Sequence, residues 1–174
     1  DCEAIQLTHR GNDIYAGTFE IPAGTWEYKV AVGGSWDENY GAGGVPGGPN
    51  VTFTLDAPTA VTFVYSHRLH RFTSSAEGEL VTLAGSFQAA VGCPGDWAPD
   101  CLGTWLAPLG DGTYTFTTDL IPAGAWEVKV THGLSWDTNY GAGGVPNGPN
   151  IAFSAPGGKP VTFTYDGATH LLTI

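Results

Sequence analysis

Two stretches of this chain, SWDENYGAGGVPGGPN at 35–50 and SWDTNYGAGGVPNGPN at 135–150, each set a tryptophan and a tyrosine four residues apart among amide and carboxylate side chains. With a lysine upstream of each, the candidates are Lys129, Trp136, Asp137, Asn139, Tyr140 and Asn150, and in the first stretch Lys29, Trp36, Asp37, Asn39, Tyr40 and Asn50. This set of groups suits a sugar ring: its C–H face covers an indole, while Asn, Asp and Lys exchange hydrogen bonds with its hydroxyls. If one ring removes roughly 60 Å² of apolar surface from water, stacking contributes about 1.5 kcal/mol, so each site is expected to be weak. The competing role for Trp36 and Tyr40 is packing at one end of a core. Strand parity argues against it by assigning Trp26 and Trp126 as the core tryptophans. Lys29 and Lys129 have an equally simple alternative, a solvated pairing with Glu27 and Glu127 on the same strand face.

Other chemistries find less support in the residue types. Asp37 and Glu38 are a carboxylate pair, but Thr138 stands at the position of Glu38 in the second stretch, and neighbours in one loop do not flank a scissile glycosidic bond. His70 and His170 match between the two stretches without a nucleophile or acid fixed nearby, which reads as a histidine at a strand edge. Asp37, Asn39 and Gly41 form part of a calcium-loop pattern that lacks its downstream glutamate. No catalytic residue, metal or cofactor is expected.

The elements that must carry these residues come in a tandem repeat. IPAGTWEYKVAVGGSWDENYG at 21–41 lies on IPAGAWEVKVTHGLSWDTNYG at 121–141 without a gap. In the second copy the pattern predicts strands at 80–87, 104–109, 113–120, 125–132, 150–154 and 161–165, and a closing HLLTI. Trp126, Val128 and Val130 alternate inward with Glu127, Lys129 and Thr131 outward, and Val161, Phe163 and Tyr165 also face in. The first copy follows the same plan, with Trp26, Tyr28, Val30 and Val32 inward, then Val61, Phe63 and Tyr65. It has nothing to match 79–99. Short strands between turns every 8 to 12 residues predict an all-β chain of two tandem immunoglobulin-like β-sandwich modules, 1–76 and 77–174. The first lacks its N-terminal strand, and the polar stretch 74–79 separates the two.

Six Lys and Arg against 17 Asp and Glu give a net charge of −11, with no basic cluster to meet a phosphate backbone, so no nucleic-acid partner is expected. No apolar run reaches the ~20 residues a membrane crossing needs, and the start at Asp1 shows no leader pattern, which suggests a mature or excised segment. Cys93 and Cys101 bracket the short loop CPGDWAPDC and are expected to form a disulfide, which points to a secreted protein. Cys2 is left over. An uncovered sheet edge in the first copy, together with Cys2, raises a second expectation, a structural subunit of an extracellular assembly or filament that self-associates by strand donation into the first copy.

GSFQAAVGCPGDWAPDC, IPAGAWEVKV and SWDTNYGAGGVPNGPN resemble the accessory β-sandwich modules of bacterial pullulanases, amylopullulanases and starch-adherence proteins, which often occur in tandem. More distantly, the order GSF, Trp, AGxWExKV and SW is similar to that in family 48 glycogen-binding modules. That resemblance implies a non-catalytic module for α-glucans such as starch, glycogen or maltooligosaccharides. It implies a binding trio of Trp97, Lys129 and Trp136, with Asn150 as a further contact. The first copy keeps Lys29 and Trp36 but has no counterpart of Trp97.

Overall fold

The computed structural model describes residues 5–174, in two compact units. Unit 1 holds the chain up to His9 and Asp13–Glu79, and unit 2 holds Arg10–Asn12 and Leu80–Ile174. Cys2 lies outside the described residues. The chain is all-β, as its composition predicts: Val, Thr, Phe and Tyr fill short extended segments that Gly and Pro interrupt.

β1 (Thr8–Gly11) belongs to unit 1 as far as His9, and unit 1 further contains β2 (Ile14–Ile21), β3 (Gly24–Tyr28), β4 (Val30–Ala31), β5 (Asn39–Gly41), β6 (Val45–Pro46), β7 (Val51–Leu55), β8 (Thr59–Ser66) and β9 (Arg71–Ser74). They pair antiparallel as β1-β2-β8-β9, β3-β7 and β4-β5-β6. Phe53, Val61 and Phe63 form its core, with Leu7, Phe19, Ile21 and Tyr28 packed on them. Threonines opposite one another on the outer face are joined across strands, Thr18 to Thr62 at 2.8 Å.

Unit 2 contains β10 (Val81–Gly85), β11 (Ala107–Pro108), β12 (Thr113–Thr118), β13 (Gly124–His132), β14 (Thr138–Tyr140), β15 (Ile151–Ala155), β16 (Val161–Asp166) and β17 (Leu172–Thr173). One sheet runs β10-β13-β14 with β15 also on β13, and the other runs β11-β12-β16-β17. The predicted inward residues Val128, Val130, Val161, Phe163 and Tyr165 are buried. Phe163 on β16 meets Phe153 on β15 at 5.3 Å and Phe87 at 5.5 Å, so side chains of the two sheets share one core.

The expected core tryptophans require a correction. Trp26 is 41% exposed and Trp126 half-buried, whereas Trp105 at 1% fills the interior of unit 2. Parity along β13 is right, since Trp126 stands opposite Phe153. Its position near the strand start, however, lets the indole fold back over Gly124 and donate its N–H to the Pro122 carbonyl at 3.0 Å. Trp26 does the same with Pro22 at 2.9 Å. Satisfying the indole N–H at the rim competes with full burial of the ring.

In unit 2 the extra front strand β10 pairs with β13 from Val81↔His132 to Gly85↔Val128, and β13 runs unbroken. Among the described residues of unit 1 no strand takes that place, and the corresponding segment breaks into β3 and β4 at Lys29. Tyr28 replaces the buried Val128. Its ring packs edge-on against Phe53, Phe63 and Phe72, and its hydroxyl donates to Glu77, which also accepts from the Ser74 backbone and side chain at 2.9 Å. Burial first, and then the Glu77 carboxylate, push the Tyr28 phenol well above its ordinary range. The polar stretch 74–79 is thereby tied into unit 1.

Cys93 and Cys101 are bonded, with their Cα atoms 5.9 Å apart, which bears out the disulfide expected from their spacing. Replacing both by serine is expected to lower the stability of unit 2 by about 2.5 kcal/mol on the chain-entropy model, read as a lower urea midpoint at unchanged slope. An unchanged midpoint would mean that other contacts already restrain the loop.

Candidate functional site

The centre of the site in unit 2 is a pair of indoles from separate loops. Trp97, inside the disulfide-closed loop, lies with its ring centroid 6.4 Å from that of Trp136, the two planes inclined at 34°. Trp136 is 39% exposed and Trp97 half-buried, so the pair presents one partly open aromatic surface.

A fully buried glutamine that sequence reasoning missed holds Trp97. Gln88 Oε1 accepts from the backbone N–H groups of Gly85 at 3.1 Å and Ala98 at 2.8 Å, and Nε2 donates to the Ala98 carbonyl at 2.8 Å and Thr104 Oγ1 at 3.1 Å. The backbone N–H of Trp97 itself reaches the Gly85 carbonyl at 3.1 Å, and Asp96 on its other side accepts from the Ala89 N–H at 2.8 Å. Fixed on both sides, Trp97 takes a left-handed φ of 58°, unusual for a bulky residue and tolerated where the surroundings over-determine it.

Asn139, only 6% exposed, performs the same task beneath Trp136. Its Nδ2 donates to the Trp136 carbonyl at 3.0 Å and to Asn147 Oδ1 at 2.7 Å, while its Oδ1 accepts from Lys129 Nζ at 2.8 Å. Lys129, on β13 between the buried Val128 and Val130, is thus linked to the loop through Asn139. Glu127 accepts from Asn150 Nδ2 at 3.1 Å, so neither residue follows the Lys–Glu pairing that their spacing suggested. The Asp137 backbone N–H donates to Ser135 Oγ at 3.1 Å, shaping the turn. Tyr140 is set apart from the indoles: its ring stacks on His170 at 3.8 Å, which covers one of its faces.

The corresponding place in unit 1 is less complete. Trp36 is 71% exposed, and Asn39 Nδ2 donates to its carbonyl at 2.9 Å, as in unit 2. Asn39 Oδ1, however, is buried without a hydrogen-bond partner among the described residues. Lys29 falls in the break between β3 and β4, away from the position from which Lys129 serves Asn139, and Gly47 replaces Asn147. Asp37 Oδ2 accepts from Ser35 Oγ at 2.7 Å, and Asn50 Nδ2 donates to Glu27 at 3.2 Å. Tyr40 is buried, stacked on His70 at 4.0 Å, with its hydroxyl donating to Glu38 at 2.8 Å. That hydrogen bond, more than burial, raises the Tyr40 phenol pKa. Glu38, His67 and His70 come together beside it, a grouping that the sequence pattern did not reveal.

The glycine-rich loops that follow are fixed by close backbone approach. A Cβ on Gly41 would lie 2.3 Å from the Pro49 carbonyl oxygen, and one on Gly141 2.1 Å from that of Pro149. Gly44 and Gly144 combine left-handed φ values of 74° and 72° with carbonyl oxygens 2.4 and 2.6 Å from the missing Cβ.

A family model for the pullulanase X25 domain matches residues 1–72 and again 80–172. The chain belongs to the pullulanase X25 domain family. The two X25 copies coincide with the internal repeat. Among curated proteins, the amylopullulanase of Thermoanaerobacter thermohydrosulfuricus is 39% identical over 94% of this chain and 11% of its own length. Those of Thermoanaerobacterium thermosulfurigenes and Thermoanaerobacterium saccharolyticum are 35% and 37% identical over 98% of the chain, matching 9% and 14% of their lengths. The X25 pair thus spans only about a tenth of these relatives. A solved pullulanase from Bacillus acidopullulyticus aligns at a TM-score of 0.49 and 20% identity, covering 96% of this chain and 17% of that one.

Gln88→Leu is expected to destabilise unit 2 by about 3 kcal/mol, because it removes the side-chain partner of the buried Gly85 N–H and of the part-buried Ala98 N–H and carbonyl while keeping side-chain volume. Trp97 emission should shift to the red in a Trp105→Phe background as the loop loosens. A variant with parental stability and emission would show that the disulfide alone positions Trp97.

Proposed function

We propose that this chain is a non-catalytic, secreted tandem module that binds α-glucans, starch, glycogen or maltooligosaccharides, on behalf of a larger enzyme. The observation that carries the reading is the Trp97–Trp136 pair. These residues are far apart in sequence, each is held by a buried amide, and both keep part of the ring open. Packing alone gives no reason for bringing two large aromatics to the surface on separately braced loops. The 34° between the rings favours a chain whose successive sugars turn, as α-linked glucose does, over a flat ribbon. Each platform contributes about 1.5 kcal/mol by area. Lys129 and Asn150 stand as polar partners for sugar hydroxyls, with Asp137 and Asn139 shaping the loop beneath them.

The relatives support the same reading, since they are named amylopullulanases and the matched region is a small part of each. The disulfide supports secretion because such a bond persists in an oxidising compartment. No helix among the described residues is long and apolar enough to cross a membrane. In fold terms, each copy is assigned as an immunoglobulin-like β-sandwich, on the two-sheet core of unit 2 and the shared plan of unit 1. Unit 2 carries the principal site, and unit 1, with Trp36 unpaired by a second indole, contributes a weaker one.

Depletion of the protein from solution by insoluble starch, with maltoheptaose as competitor and cellulose as control, tests this. Trp136→Ala is expected to weaken starch binding at least tenfold with thermal stability almost unchanged, and Trp36→Ala to weaken it only about twofold. Parental binding by Trp136→Ala, or equal retention on cellulose, would overturn the assignment. The intact pair should bind polymeric starch more tightly than Trp36→Ala while binding maltotriose equally, since only a long chain can engage both sites at once.

A further inference from the structure

We propose that Glu38, His67 and His70 of unit 1 form a binding site for a divalent transition-metal ion, with Zn²⁺ the best match. Each of the three can present one ligand atom, all within 4.8 Å of one another. Glu38 comes from the turn entering β5, and both histidines come from the turn between β8 and β9. Two imidazoles and one carboxylate are the donor set of open zinc and related sites, whereas the nitrogen donors disfavour Ca²⁺ and Mg²⁺. A net charge of −11 favours capture of a cation.

Outer hydrogen bonds already orient the three groups. Tyr40 donates to Glu38 at 2.8 Å and lies 3.3 Å from His70 Nε2, while the buried Tyr65 hydroxyl lies 3.1 Å from His67 Nδ1 and 3.2 Å from His70 Nδ1. The Tyr40 ring stacks on His70 at 4.0 Å, which fixes the plane of the imidazole. Proton accounting then exposes a lone pair. Tyr40 spends its proton on Glu38, so His70 Nε2 must carry hydrogen and His70 Nδ1 must accept from Tyr65. Tyr65 has no second proton for His67 Nδ1, so in this network that nitrogen is the donor and the other ring nitrogen of His67 is the one turned to an ion. Glu38 retains a second carboxylate oxygen. A metal completes its set by drawing one His70 nitrogen away from a tyrosine, and the tyrosines remain as the second layer that holds the ligands in place.

Unit 2 is a built-in control. Thr138 and Gly167 stand at the positions of Glu38 and His67, and only His170 is kept. There His132 Nε2 instead pairs with the Tyr165 hydroxyl at 2.9 Å, and that hydroxyl also lies 2.7 Å from His170 Nδ1. The same corner therefore folds without the three ligands.

The test is calorimetric titration of the chelator-stripped, untagged chain with ZnCl₂ at pH 7.5, alongside absorption spectra with Co²⁺. One equivalent with micromolar affinity is expected. Both Glu38→Gln and the double variant Glu38→Thr, His67→Gly, which installs the residues of unit 2, should lose at least tenfold, with far-UV circular dichroism unchanged. No saturable heat, or variants that bind like the parent, would overturn the proposal. If the double variant fails to fold, Glu38→Gln alone decides.

Discussion

Loops that carry a surface for recognition must still satisfy their own backbone polar groups once they are packed, and in this chain two side-chain amides meet that demand. Gln88 bonds both the N–H and the carbonyl of Ala98 in the cysteine loop and ties them to Gly85 and Thr104, and Asn139 joins the Trp136 carbonyl to Asn147 beneath the second tryptophan. An amide is suited to the role because it offers both donors and acceptors on one planar group, and burial makes each unsatisfied atom costly. The aromatic pair is thus a consequence of two buried amides as much as of two exposed rings.

The two copies show what happens when this bracing is reduced. With β10 and the cysteine loop present, β13 stays regular through Lys129, and the lysine meets Asn139. Where no described strand replaces β10, the ladder breaks at the equivalent lysine and the Asn39 acceptor is left buried without a partner. Unit 1 compensates with bulk and charge: Tyr28 for Val128, anchored through Glu77. The larger ring fills core space on the sheet face and is fixed there by the carboxylate.

The repeat, the disulfide, most strand positions and the inward alternation of Val161, Phe163 and Tyr165 were legible because each depends on local period or spacing, whereas the strand expected at 104–109 shrinks to β11 after a 3-10 turn at Leu102–Thr104 and β14 forms inside the expected loop. Trp26 and Trp126 were misplaced because parity tells which face a side chain leaves from and nothing about whether the core extends that far along the strand. Tyr40 and Tyr140 sat in a motif with Trp36 and Trp136, yet four residues of a turn bring them onto His70 and His170 instead of beside the indoles. Gln88 carried no signal at all. A glutamine in a Gly- and Ala-rich loop looks like any solvent-facing residue until the chain closes around it.

The glycines behind the tryptophans bear on how such a repeat ages. At Gly41 and Gly141 a methyl group would overlap a carbonyl oxygen of the same loop, and at Gly44 and Gly144 it would strike a carbonyl of the turn after β8 or β16. Substitution there is barred by the backbone whatever the loop binds. After duplication, drift is therefore free to act on the strands and on the face around Lys29, while the GAGGVP segment stays almost fixed in both copies. Similarity within that segment measures steric intolerance, and divergence of the two copies has to be sought at positions such as Gly47 and Asn147, Glu38 and Thr138, where side chains were able to change.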